Sequence, residues 1–217
     1  MASSVAPPDD APRLRSPADL RAWVAADVRR YCEDGAGAVA VAVKMSRTPQ
    51  LRWLVRLRIT ELAVNAGGVA LLPLAALLRW RLQAKAVRLG YTIGVNVCGP
   101  GLSLPHWGTI VVSSYARVGP GCTLHPGTCL GARYGKAPRL AANVYVGPGA
   151  KLYGAVNVGE GATIGANAVV NRDVAERTVV AGAPARPIRG IAAGASREGS
   201  ETTPSPSTAA RARGQLR

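Results

Sequence analysis

Two histidines are the side chains of this 217-residue chain best suited to moving a proton at neutral pH, because imidazole has an ordinary pKa of about 6.5. His106 lies in the run Leu-Pro-His-Trp-Gly-Thr-Ile-Val-Val at 104–112, in a glycine-rich setting whose backbone N–H groups could face a developing oxyanion. A histidine in that position can serve as general base toward a hydroxyl group, or can simply fill a turn. His125 occupies the second position of a Leu-His-Pro-Gly hexad, where its side chain should project outward into a solvated corner or a groove. No cluster of His, Cys, Asp or Glu has ligand spacing, so no metal is expected. The four cysteines, Cys32, Cys98, Cys122 and Cys129, form no Cys-x-x-Cys pair. They read as reduced, small buried side chains of a cytoplasmic protein.

The scaffold that must hold these residues is written as a six-residue period. Val112, Val118, Leu124 and Leu130 keep one register, and Leu140, Val146, Leu152, Val158, Ile164 and Val170 keep a second. Glycine follows most of these aliphatic positions closely. A short fixed period means that one repeat cannot bury its apolar side alone and must stack on its neighbours, so a β-solenoid is expected over residues 91–190. The insertion between Leu130 and Leu140, carrying Arg133, Tyr134, Gly135 and Lys136, breaks the count and must leave the coil as a loop.

Ahead of the solenoid, residues 16–90 read as helical. Ser16, Pro17 and Asp19 announce a helix running to about Cys32, a second is expected from about Gln50 to Val64 after a short Ala/Val segment, and a third from Val69 to Leu89. Residues 1–15 and 191–217 have the composition of disordered segments. The formal net charge is +15, and residues 44–90 carry nine Lys or Arg against the single acid Glu61. Neither a nucleic-acid module nor an aromatic stacking platform accompanies this charge, so specific DNA or RNA binding is not expected. The third helix is too short to span a bilayer. It should pack on its neighbours and on the solenoid end, with peripheral contact to an anionic membrane through its arginines and Trp80 as the alternative.

Three stretches resemble the hexapeptide acyltransferases, specifically the serine acetyltransferase group and its polysaccharide-cluster relatives. They are residues 99–112, the run from Val146 to Val170, and the closing Ala-Gly-Ala-Pro-Ala-Arg at 181–186, within a match covering residues 46–190. The resemblance implies an α+β chain whose N-terminal helical region precedes a left-handed parallel β-helix. It also implies a homotrimer, with pairing of trimers as an option, and acetyl-CoA bound between neighbouring subunits. His106 would take the proton from the acceptor hydroxyl. Pro148, Ala166 and Ala132 would line the pantetheine groove, and Lys151, Arg186 and Arg189 would meet its phosphates.

The departures concern the acceptor, expected near Pro105, His125, Tyr134 and Lys136. Pro105 replaces an acid beside the base, Lys136 stands for an arginine that meets the substrate carboxylate, and Ala137 stands for a second active-site histidine. Tyr91 falls where the family has the acid that orients the base, so a backbone carbonyl or Asn96 is expected to hold the tautomer of His106 instead. The expected activity is O-acetylation of serine or a related small acceptor. The alternatives are a sugar, polysaccharide or secondary-metabolite acceptor on the same fold, or a solenoid that only scaffolds a partner.

Overall fold

In the computed structural model, which describes residues 13–32 and 35–190, four helices precede thirteen short strands among the described residues. The helices are α1 (Pro17–Arg29), α2 (Ala38–Arg47), α3 (Pro49–Asn65) and α4 (Leu72–Leu89), the last entered through a single 3₁₀ turn at Val69–Leu71. The first six strands are β1 (Tyr91–Ile93), β2 (Ile110–Val112), β3 (Arg117–Val118), β4 (Thr123–Leu124), β5 (Cys129–Gly131) and β6 (Arg139–Leu140). They are followed by β7 (Tyr145–Val146), β8 (Lys151–Tyr153), β9 (Asn157–Val158), β10 (Thr163–Ile164), β11 (Val169–Val170), β12 (Thr178–Ala181) and β13 (Arg186–Gly190). The termini expected to be disordered lie outside the described residues except at 13–15, where that expectation is corrected: Leu14 is fully buried and its carbonyl accepts from the Asn65 amide at 2.9 Å.

The strands form three parallel faces of a solenoid. One face is β1-β2-β5-β8-β11, the second is β3-β6-β9, and the third is β4-β7-β10-β12 with β13 added antiparallel at its end. Every third hexad stacks in register: Val112 on Leu130, Leu152 and then Val170, and Leu124 on Val146, Ile164 and Val180. All ten hexad positions named from the sequence are buried. The insertion leaves the coil as expected, turning at Tyr134 and Gly135 between bridged Arg133 and Lys136.

The first coil has no coil above it, and its upward-facing backbone groups need other partners. Helix side chains supply them. Arg58 of α3, fully buried, pairs with Asp27 of α1 at 2.8 Å and with Glu61 at 3.0 Å, and donates to the carbonyls of Cys98 and Gly99 at 2.8 and 2.7 Å. The two carboxylates pass the link on, Asp27 accepting from the Leu102 N–H and Glu61 from the Asn96 N–H. Trp23 stacks on the guanidinium at 4.9 Å. Burial pushes Glu61 above the usual carboxylate range, opposed by the Arg58 charge and the Asn96 amide.

The helical reading needs two corrections. The Ala/Val segment is itself helix α2, with its β-branched residues on a helix rather than a connector, and it ends because Thr48 precedes Pro49 and is extended at φ −112°, ψ 94°. α1 stops at Arg29 rather than near Cys32. α4 does pack on α3 and β1, yet only Ala75, Leu82 and Ala86 of it are buried. All four cysteines are free, and burial pushes the Cys122 thiol up to about 11 and Cys98 higher still, which makes both poor nucleophiles.

Replacing Arg58 by Met would leave two buried carboxylates facing each other and two carbonyls without donors. The expected loss of stability is about 3–5 kcal/mol, read as a lowered midpoint in urea unfolding. Arg58→Lys should rescue little, since an ammonium cannot supply five fixed donors. An unchanged midpoint in both variants would show that the network does not dock the helices.

Candidate active site

His106 sits on the corner that joins the third face to the first. Below it the same corner recurs in each coil: Pro126, Pro148 and Ala166, tied by the bonds Gly149 N–H to Pro126 O at 2.9 Å and Asn167 N–H to Pro148 O at 2.8 Å. His106, Pro148 and Ala166 are all exposed along this edge. The corner continues to the turn at 182–184, where the Ala185 N–H bonds to Val169 O, so Arg186 stands at the foot of the stack. Four steps of about 4.8 Å put the base about 19 Å above that foot.

The turn bearing His106 is clamped from above. The Tyr31 hydroxyl donates to Leu104 O at 3.1 Å and accepts from Leu104 N–H at 2.7 Å. Gln50 donates to Pro105 O at 3.2 Å, and Tyr91 donates to His106 O at 3.1 Å. Burial raises the pKa of both phenols, which keeps them protonated as donors. Gly108 N–H bonds to Leu89 O, and a side chain at Gly90 would meet the Gly108 carbonyl carbon at 2.8 Å. Gly90 also takes φ 79° to end α4, so glycine is required there twice over. Tyr31 and Gln50 were not among the site residues expected from sequence; a tyrosine just past the end of α1 and a glutamine in α3 carry no local signal of the turn they hold.

His125 is brought beside the base. The two imidazoles lie 6.4 Å apart between ring centres, and Tyr145 packs on His125 at 4.9 Å. Partial burial lowers the His125 pKa, and charge on His106 lowers it further, which favours a neutral ring. From residue 62 to residue 159 the sequence contains no Asp or Glu, so three coils, including both histidines, present no carboxylate.

Other expected residues lie elsewhere. Ala132, Tyr134 and Lys136 are exposed on the loop that leaves the opposite edge of the first face, across β5 from His125 within one chain. Asn96 is not a partner for the imidazole: its amide exchanges two hydrogen bonds with Asn65, each 2.8 Å. The Lys151 ammonium donates to Gly127 O in the coil above, so it is tied to the corner rather than free to reach out. Arg186 is exposed and bonds only its neighbour Ala185 O among the described residues, while the Arg189 side chain lies outside those described. Small corner residues with a cation at the foot fit an extended acyl carrier. Among the described residues no group of three His, Cys, Asp or Glu could hold a metal.

A histidine NMR titration should place the His125 midpoint below about 6.5. His106→Ala should move that midpoint upward by removing the neighbouring charge. A midpoint unmoved by the substitution would show that the two rings do not interact.

The six-repeat bacterial transferase hexapeptide model matches residues 137–172. Serine acetyltransferase from Synechococcus elongatus is 42% identical over 94 residues, covering 42% of this chain and 38% of that protein. The Helicobacter pylori serine acetyltransferase is 36% identical over 94 residues, covering 42% and 55%. The chain thus matches between about two fifths and just over half of the length of these relatives. Soybean serine acetyltransferase complexed with serine superimposes with a TM-score of 0.65 at 27% identity, over 78% of this chain and 69% of that one. A serine acetyltransferase in complex with CoA gives 0.63 at 25% identity, over 79% and 71%. In its repeat, its aligned sequence and its left-handed parallel β-helix, the chain is serine acetyltransferase-like.

Proposed function

We propose that the protein is an acetyl-CoA-dependent O-acetyltransferase of the serine acetyltransferase type, with His106 as general base. The observation that carries this reading is the exposed imidazole held at the head of a small-residue corner with Arg186 at its foot. His106 takes the proton of the acceptor hydroxyl as the oxygen attacks the acyl carbon, and returns it to the departing sulfur. Bound acetyl-CoA supplies the activated acyl group. The clamp of Tyr31, Gln50 and Tyr91 fixes the backbone that presents the ring, and among the described residues no carboxylate is bonded to the imidazole. His125, kept neutral, can accept or donate one hydrogen bond to the acceptor. Pro148 and Ala166 leave the corner open to the pantetheine arm, and Arg186 meets phosphate. A homotrimer would bring the loop bearing Ala132, Tyr134 and Lys136 of one copy toward the corner of the next, completing the acceptor side.

One observation favours an acceptor other than serine. An α-ammonium is best met by a carboxylate, and the stretch from 62 to 159 that carries both histidines holds none. Beside two imidazoles and no acid of that stretch, an ammonium gains no partner to offset its lost hydration. A neutral or anionic hydroxyl compound, such as a sugar, suits the same base without that penalty.

Thiol release from acetyl-CoA should be measured with L-serine and with a panel of sugars and nucleotide sugars. His106→Ala should lower turnover by about 10²–10⁴-fold with CoA binding retained in calorimetry. Full activity in that variant would remove His106 as the base. Turnover with a sugar and none with serine would establish the second acceptor class. Absence of CoA binding would leave only the scaffolding role.

A further inference from the structure

α4 has two apolar faces. Ala75, Leu82 and Ala86 are buried against α3 and the solenoid end. On the adjoining side, Leu72, Ala76, Leu77, Trp80, Ala84 and Val87 fall within an arc of about 140° at 100° per residue, interrupted by Gln83 near its edge. All six are exposed, Trp80 and Val87 at 69% and Leu72 at 62%. One core face is enough to fix a helix, so the second stripe has no structural task in the folded chain.

The charges around that stripe are of one sign. Arg79 borders it on one side and Arg81 and Arg88 on the other, all exposed and none paired with a carboxylate among the described residues. Beside it, a groove of ≈ 590 Å³ between α3 and α4 adds Ile59 to the apolar surface and Arg56 and Lys85 to the rim. Glu61, the one acid of residues 44–90, is buried on Arg58 and cannot offset them. Two copies meeting through this face would set these arginines against their own counterparts. A surface that is apolar inside and negatively charged at its rim matches the stripe instead.

We propose that α4 lies flat in the interface of a membrane carrying anionic lipid headgroups, with Leu72, Leu77, Trp80 and Val87 inserted and Arg79, Arg81 and Arg88 at headgroup level. A stripe of this width flanked by arginines is the geometry of an in-plane amphipathic helix. No helix among the described residues is long and apolar enough to cross the bilayer, so the contact is peripheral. The stripe shares no residue with the acyl-transfer corner, and α4 reaches the turn that bears His106 through the Leu89 O to Gly108 N–H bond at its C-terminal end.

Flotation of the full chain with vesicles of phosphatidylcholine, with and without phosphatidylglycerol, tests the proposal. The protein should float with the anionic vesicles at low salt, be released by high salt, and stay behind with phosphatidylcholine alone. Arg81→Gln should weaken binding about fivefold, and Trp80→Ser should weaken it as well while leaving CoA binding and the sedimentation coefficient unchanged. The proposal is overturned by no flotation at low salt, or by flotation that Trp80→Ser leaves intact. A Trp80→Ser protein of smaller assembly mass would also overturn it, because the face would then be covered by another copy of the chain.

Discussion

A parallel coil of strands ends in a row of backbone groups with nothing to pair with, and the way this chain satisfies that row governs the rest of it. Arg58 spends its donors on two carboxylates and two carbonyls of the first coil, and the carboxylates accept the N–H groups of Asn96 and Leu102. The helices therefore act as a substitute coil built from side chains. Burying three charges is costly unless every lone pair and proton is used, and here the pairing closes with backbone rather than water. The gain is orientational: α1 and α3 can sit on the solenoid in one way.

That single orientation is what reaches the corner. Once α1 is fixed, Tyr31 at its end meets Leu104, and Arg30 donates to Thr123 at 2.9 Å in the second coil. Once α3 is fixed, Gln50 meets Pro105 and Trp53 packs edge-on against Tyr91 at 5.1 Å, which in turn holds His106. The base is presented by a chain of contacts that starts at a guanidinium far from it in sequence. The imidazole itself remains open to a substrate, while its backbone has little freedom.

The solenoid was legible because its information is periodic: each of Val112 through Val170 in the two hexad registers announces its own burial, and the insertion announces itself by breaking the count. The candidate base was legible through the stretch around Leu104–Val112, whereas the second position of its hexad left His125 between a solvated corner and a groove, and its nearness to His106 depends on how successive corners stack. What the sequence did not disclose depends on partners distant along the chain. Arg58 looks like any helix arginine until Asp27 and Gly99 converge on it. Asn96 looked available to an imidazole, but left-handed φ of 59° and the nearness of α3 commit it to Asn65. The α2 segment was passed over because an Ala/Val run without a strong cap favours no one structure by itself.

The far end of the coil is finished differently. β13 turns back antiparallel along β12 and carries Pro187, which has no N–H to offer a further strand, next to the charged Arg186. An edge of that kind resists the addition of another sheet. With helices seated on one terminus and a reversed, proline-bearing strand on the other, the stack has a defined length and cannot grow head to tail into a fibre.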